Sequence, residues 1–290
     1  MADDEILHRA LIDAAGDVNR LTRNWFDGQR YANAGPAADL EPRVSTIATR
    51  SGDTPLVTAL DTLSAALTPP ASVIETLPNL ALWFDTWRPD TITRLGAAVT
   101  AMANLVPGGP GLVAAAAGGP DYAASGPDGT PGVFWPEAPN DLGLVLASDV
   151  SLAELFLVAR FADGTVPVWP NYTVLFASHG DGAESTVVGE SGTSRLAAGD
   201  AARLISKVSV NGGAFGASLL PLPVSVLRLS ASTESLPQIT FGGLGVRVAG
   251  SNAGRSWQGG WFELAGFSAP LSAADAATVE AALIEKWGVT

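Results

Sequence analysis

Along the first seventy residues the apolar positions recur at helical spacing. Leu7, Leu11, Ala14, Val18, Leu21 and Trp25 are separated by 4, 3, 4, 3 and 4 positions, the alternation of a coiled-coil seam. The spacing predicts a short helical arm of under three heptads. Three destinations for its apolar stripe stay open: self-association, docking on another protein, and packing on its own domain. A second helix is predicted by Thr54 as N-cap, Pro55 at the first helical position, and Leu56, Leu60, Leu63 and Leu67, before Pro69-Pro70 stop it. The stretch 28–50 between them reads as an extended connector. We place a boundary at the proline pair, which separates a helical N-terminal arm, residues 1–70, from a domain of residues 71–290.

Beyond residue 71 the period shortens. Tyr172, Val174 and Phe176 alternate with other residues, as do Val208 and Val210 with Lys207 and Ser209, and Asn211-Gly212-Gly213 then supplies residues that tolerate a positive φ. Leu152 to Phe161 and Val224 to Leu229 are apolar on both faces, as central strands are. Gln238–Phe241, Val246–Val248 and Trp261–Phe267 read as further strands. Thr91–Leu105 has helical periodicity and reads as a helix or an irregular turn, and Pro107–Gly132, rich in Gly and Pro, reads as a long loop. At the C-terminus, Ser272 and Asp275 form a cap, and Val279, Leu283 and Trp287 recur on one face of a short helix. The prediction is a mainly β, two-sheet antiparallel sandwich with an N-terminal helical arm and a short C-terminal helix.

Composition narrows the function. With 16 Lys+Arg against 29 Asp+Glu the formal charge is −13, a sign that repels a phosphate backbone, so nucleic acid is not an expected partner. The absence of cysteine removes thiolate metal sites and thiol catalysis, and His8 and His179 are the two histidines. No apolar run is long enough to cross a bilayer, so membrane insertion is not expected. The acidic start, MADDEILHRALIDAAG, lacks the pattern of a secretory signal, and manufacture in a cytoplasm is the expectation. No phosphate-binding loop is present. Ser178-His179-Gly180-Asp181 reads as a turn after a strand, since a catalytic triad also needs an oxyanion hole. Asp181 and Glu184 do not form a calcium loop by spacing, and Asn171-Tyr172-Thr173 is a coincidental glycosylation match without a secretion signal. Neither a cofactor nor a metal is expected.

Several segments, in this order, resemble one family: Leu80–Asp85, Gly129–Phe134, Val208–Gly212, Ile239–Gly243, Trp261–Phe267, Leu271-Ser272, and the ending Glu285-Lys286-Trp287-Gly288. Together, over about residues 77–289, they resemble the laminin-G-like, concanavalin-A-like lectin/glucanase jelly roll, of the kind found in structural proteins of phages and gene transfer agents. The resemblance implies a fold used for glycan or protein binding and in some members for glycoside cleavage. Trp83, Phe134, Phe241, Trp261 and Phe267 would then be inward-facing aromatics between the sheets.

The enzymatic branch of that family carries two glutamates on one strand, and no such run occurs here. Glu263 and Glu154 each stand alone on their strands, so no catalytic residue is assigned and the chain is expected not to be an enzyme. Glycan binding needs an aromatic platform with nearby hydroxyl partners, and Trp169, Tyr172, His179, Asp181, Asn252, Arg255 and Trp257 lie in or beside predicted turns. The two-part layout suggests a spike or fibre of a phage or phage-like particle. Residues 1–70, through Leu7, Leu11, Val18, Leu21 and Trp25, would oligomerise it and anchor it to capsid or tail proteins, and the sandwich would bind cell-surface polysaccharide. Two lysines against fourteen arginines, with abundant alanine, point to a GC-rich bacterial source. Two rivals stay open: a connector or capsid decoration protein that binds no sugar, and a glycan hydrolase whose acid pair comes from separate strands, for example Glu154 with Glu263.

Overall fold

The computed structural model describes residues 72–126, 129–180, 186–198, 203–232, 236, 238–248 and 254–289. Both predicted N-terminal helices, with Leu7, Leu11, Val18, Leu21 and Trp25, lie outside the described residues. Val73–Gly126 and Pro131–Thr290 form one compact unit, to which every element below belongs.

The unit opens with one helical turn, α1 (Val73–Thr76). Sixteen strands follow: β1 (Leu80–Asp85), β2 (Ile92–Leu95), β3 (Ala98–Met102), β4 (Leu112–Ala114), β5 (Asp121–Ala123), β6 (Gly132–Trp135), β7 (Leu144–Leu152), β8 (Glu154–Phe161), β9 (Thr173–Ala177), β10 (Thr186–Gly189), β11 (Leu196–Ala198), β12 (Arg203–Leu204), β13 (Val208–Val210), β14 (Ser225–Ser230), β15 (Ile239–Leu244) and β16 (Gly259–Phe267). A helix, α2 (Ala273–Trp287), closes the chain. The strands pair antiparallel in the order β12-β11-β10-β9-β15-β7-β4-β3-β5-β6-β16-β8-β14-β13, with β1 added on β16 and β2 on β3.

This long ladder curls back on itself, and its two halves share one apolar core. Leu155, Leu157 and Phe161 of β8 and Trp261 of β16 lie in the same buried cluster as Leu175, Phe176, Phe241 and Leu244 of β9 and β15. The architecture is a mainly β antiparallel sandwich, as the alternating pattern predicts. β8 is buried at all eight positions because its odd-numbered side chains enter that core while Phe156 and Val158 face a second layer on the outside. In that layer Ala276, Val279, Leu283 and Trp287 of α2 cover Trp83, Phe156, Phe262 and Phe267. A strand covered on both sides carries an apolar run instead of a clean alternation.

α2 begins and ends on local chemistry. The Ser272 side chain accepts a hydrogen bond from the Asp275 N–H, and Gly288 takes a left-handed conformation (φ 61°) at the C-terminus. Asn211 (φ 52°) and Gly212 (φ 70°) turn the chain after β13.

Four expectations are corrected. Thr91–Leu105 is not helical: it forms the β2–β3 hairpin, turned at Gly96 (φ 65°), because β-branched Ile92, Thr93, Val99 and Thr100 fit a pleated surface. The expected loop at 107–132 contains β4 and β5 and the first residue of β6, whose apolar residues Leu112 and Tyr122 plug the core. Val246–Val248 is not a strand. Of the five aromatics expected between the sheets, Phe241 and Trp261 are there, whereas Trp83, Phe134 and Phe267 belong to the layer under α2.

Candidate functional site

Strands β1 and β16 and helix α2 meet at one buried polar cluster. Asp85 of β1 and Glu263 of β16 are direct cross-strand partners, which puts two carboxylates side by side on one face. The Lys286 ammonium of α2 bridges them, 2.7 Å from an oxygen of each. Trp83 donates its indole N–H to Glu263 Oε1 (2.9 Å) and Trp287 donates to Oε2 (2.7 Å). Trp87 stands edge-on to Trp287, with ring centroids 5.5 Å apart. Burial pushes the Glu263 carboxyl up, and neighbouring Asp85 pushes it the same way, against the pull of Lys286 and the Trp83 hydrogen bond. Burial works against the Lys286 charge, but Glu263 and Asp85 outweigh it and hold the ammonium above its ordinary range.

The sequence shows no carboxylate partner for Glu263 on its own strand; the neighbouring strand supplies one. The bridged oxygens are at most twice 2.7 Å apart, near the spacing of about 5–5.5 Å between the acids of a retaining glycosidase. Yet the Glu263 side chain is 1% exposed, and both its oxygens accept from protein donors. In this arrangement the pair is closed to a substrate and clamps α2 to the sheet.

A second clamp sits further along the helix. Arg228 of β14 forks onto Glu154 (2.8 and 3.1 Å), and Glu280 of α2 accepts from Ser209 Oγ at 3.0 Å. Glu154 pairs in register with Phe267, and Glu263 with Val158, so these two glutamates lie four residues apart along the ladder, about 13 Å. The acid pair considered from the sequence does not form; each glutamate serves its own clamp.

The outer face of the other half of the sandwich carries a different grouping. Between Phe241↔Val150 and Gly243↔Val145 the register of β15 on β7 shifts, so residues 146–149 of β7 bulge opposite Gly242. Such bulges re-aim side chains, and this one brings Asp149 to His179, two residues beyond the end of β9. Asp149 Oδ1 accepts hydrogen bonds from His179 N and Nδ1, each at 2.8 Å. The floor is Gly242: a Cβ there would sit 2.7 Å from His179 Nδ1 and closer still to Asp149 Oδ1, so the pair occupies space that any larger residue would take. Their side chains are about one-third exposed, 35% for His179 and 32% for Asp149.

The remaining residues singled out from the sequence are distributed as follows. Arg255 is exposed and lies over the Tyr172 ring, 5.7 Å from its centroid. This grouping is at the opposite end of β9 from His179, about 17 Å away for a five-residue strand. Trp169 and Trp257 are interior, 0% and 2% exposed. Their rings pack on Phe161 and on each other, which leaves neither a face for a sugar. Asp181 and Asn252 lie outside the described residues. The structure therefore brings together Tyr172 with Arg255 and, separately, His179 with Asp149. Asp149 was missed because it lies mid-strand in an ordinary alternating segment, and only the bulge reveals it. Among the described residues no group of three or more metal-ligating side chains occurs.

Comparison with protein-family models and with curated proteins gives no match. Among solved structures the chain is similar to domain 4 of AbnA, a GH43 extracellular arabinanase from Geobacillus stearothermophilus, determined in complex with arabinotriose. The identity is 13% and the TM-score 0.41, over 70% of this chain and 98% of that one.

Proposed function

We propose that this chain is a structural attachment protein of a phage or phage-like particle, made in a bacterial cytoplasm. In this reading residues 1–70 anchor it to capsid or tail proteins and oligomerise it, and the β-sandwich binds host cell-surface polysaccharide. The observation that supports the binding role is the Asp149–His179 pair, hydrogen-bonded over Gly242 and partly open to solvent. Surface pairs of this kind orient the hydroxyls of a neutral ligand, and several copies on one particle multiply a weak single-site affinity. The two-part sequence layout motivates the anchoring role.

The test is binding of the full-length protein to surface polysaccharides of candidate bacterial hosts. Saturable binding lost on His179→Ala supports the reading; absence of binding to every polysaccharide refutes it. Deletion of residues 1–70 should abolish incorporation into particles and change the oligomeric state, and an unchanged outcome in both refutes the anchoring role. The rival connector or decoration role is favoured by one observation: Leu95 and Val113, on β2 and β4, are 80% and 48% exposed. If Leu95→Asp with Val113→Ser blocks particle assembly while His179→Ala does not affect infection, the sandwich is a protein-contact module.

A further inference from the structure

We infer that Phe215 and Lys207 form a second carbohydrate subsite that takes an acidic sugar, the ring supporting the sugar's apolar face and the ammonium meeting its carboxylate. The inference rests on the glycan-binding reading above, but places this contact on the half of the sandwich that carries α2. It follows from which charges there are already paired and which one is not.

β13 ends the strand ladder. Ser209 of β13 is the cross-strand partner of Arg228 and donates to Glu280 of α2, so this face of β13 and β14 is the one beside the helix. By strand alternation Lys207, two positions before Ser209, lies on the same face. Beyond β13 the chain folds back on itself. Val208 and Gly216 exchange backbone hydrogen bonds (3.3 and 2.8 Å), the Gly213 N–H donates to the Val210 carbonyl (2.9 Å), and Ser209 Oγ donates to the Gly213 carbonyl (2.9 Å). This return brings the Phe215 ring to two cations: its centroid is 5.3 Å from Lys207 Nζ and 5.1 Å from Arg228 Cζ, inside the roughly 6 Å reach of a cation–π contact. Phe215 nevertheless stays 39% exposed, the one aromatic side chain among the described residues that reaches the exposed class.

The two cations differ. Arg228 forks onto Glu154 and has Glu280 3.8 Å away, so its charge is balanced, and its side chain is 15% exposed. Both of these glutamates are buried. Lys207 is exposed and forms no ion pair among the described residues; its partner is the ring. A ligand arriving here therefore meets apolar surface from Phe215 and an unneutralised donor from Lys207. A uronate matches both, since its carboxylate only accepts hydrogen bonds and its C–H face covers an aromatic ring. A neutral sugar leaves the charge unpaired, and an acidic peptide has no such face. The formal charge of −13 repels an acidic polymer at a distance, but at about 0.1 M salt that field is screened beyond about 10 Å, so the contact with Lys207 decides.

The experiment titrates immobilised full-length protein, whose many copies add avidity, with polygalacturonate, alginate and hyaluronate. Each polymer is run beside its carboxyl-reduced counterpart, in which the uronate has become a neutral hexose, and beside poly-glutamate. A uronate polymer should bind, with its reduced form and poly-glutamate each at least about tenfold weaker. Lys207→Gln, which removes the charge and keeps most of the stem, should weaken that polymer about tenfold or more at unchanged Tm, because the side chain is exposed. Phe215→Ala should weaken it as well, while Phe215→Tyr, which keeps the ring, should not. Equal binding of a uronate polymer and its reduced form, equal binding of poly-glutamate, or unchanged binding in Lys207→Gln overturns the inference. Absence of uronate binding alongside His179-dependent binding of a neutral host polysaccharide also overturns it and leaves the glycan-binding reading standing. No binding of any polysaccharide overturns both.

Discussion

Replacing Glu263 by glutamine changes one atom in a side chain of the same shape, at a position where the structure leaves no room for a donor. Glu263 Oε1 accepts from the Trp83 indole and Oε2 from both Lys286 and Trp287. A glutamine can keep one oxygen, best placed facing Lys286 and Trp287, and its amide NH2 then meets the Trp83 N–H head on. The Trp83 N–H loses its acceptor and the introduced amide NH2 finds none, at about 1–3 kcal/mol for each unpaired buried donor. Lys286 keeps Asp85, and the repulsion between Asp85 and Glu263 disappears, which offsets part of the loss. The net expectation is a destabilisation of about 3 kcal/mol, below the roughly 3–5 kcal/mol for breaking a buried ion pair outright. For a unit of this size that is a fall in Tm of roughly 6–12 °C. Urea unfolding followed by tryptophan fluorescence and circular dichroism reads it directly. A Glu263→Gln protein within about 0.5 kcal/mol of the native one would refute the reasoning, since it would mean that the native carboxyl already carries a proton and already donates.

Other expectations test the remaining parts of the structure. Trp257→Ala should cost about 3–5 kcal/mol as a core truncation, whereas Tyr172→Ala, at the surface under Arg255, should cost no more than about 1 kcal/mol; equal losses in thermal unfolding would contradict their placement. Gly242→Ala should displace the Asp149–His179 pair and abolish its ligand binding, measurable by calorimetry, while native binding affinity in this variant would remove Gly242 as the floor. The pH dependence of stability should be set on the alkaline side. Lys286 is held above its ordinary value and the Tyr122 hydroxyl is pushed up to about 12 by burial. A raised folded-state pKa contributes stability that is full below the unfolded value, near 10 to 10.5, and is lost as the pH rises through the folded one. Thermal scans should show this loss beginning above about pH 10, diminished in Tyr122→Phe. Glu263, also raised, adds nothing to acid unfolding, because its protonation becomes easier in the folded state than in the unfolded chain.

Residues far apart in the chain become interdependent in the clamp. The motif around Leu80–Asp85, the Trp261–Phe267 strand and the Lys286-Trp287 ending are far apart in the chain, yet Asp85, Glu263, Lys286 and Trp287 touch. Their residue types are set by one another: a strand glutamate needs donors when it is buried, and the last turn of α2 provides them. The same geometry removes Glu263 from consideration as half of an acid pair with Glu154, whose partner is Arg228.

Periodicity alone determined the mainly β class, strands read at 152–161, 172–177 and 261–267 whose observed bounds are 154–161, 173–177 and 259–267, and α2 with its cap, because each depends on contacts within a few residues or on burial of an entire face. The N-cap at Ser272 and the apolar face through Val279, Leu283 and Trp287 are local properties, legible in the letters. Thr91–Leu105 was misjudged because its apolar residues fit two periods over a short span, and pairing of β3 with β2, β4 and β5 decided between them. Which aromatics are surface and which are core was equally undecidable from turn chemistry: Trp169 and Tyr172 flank the same Pro170-Asn171 bend, but one ring is 0% exposed and the other lies under an arginine at the surface. The Asp149–His179 pair joins residues 30 positions apart through a register shift and the missing side chain of Gly242. Neither a shift nor a missing Cβ has a pattern along the chain, so only the packed sheet could bring that site into being.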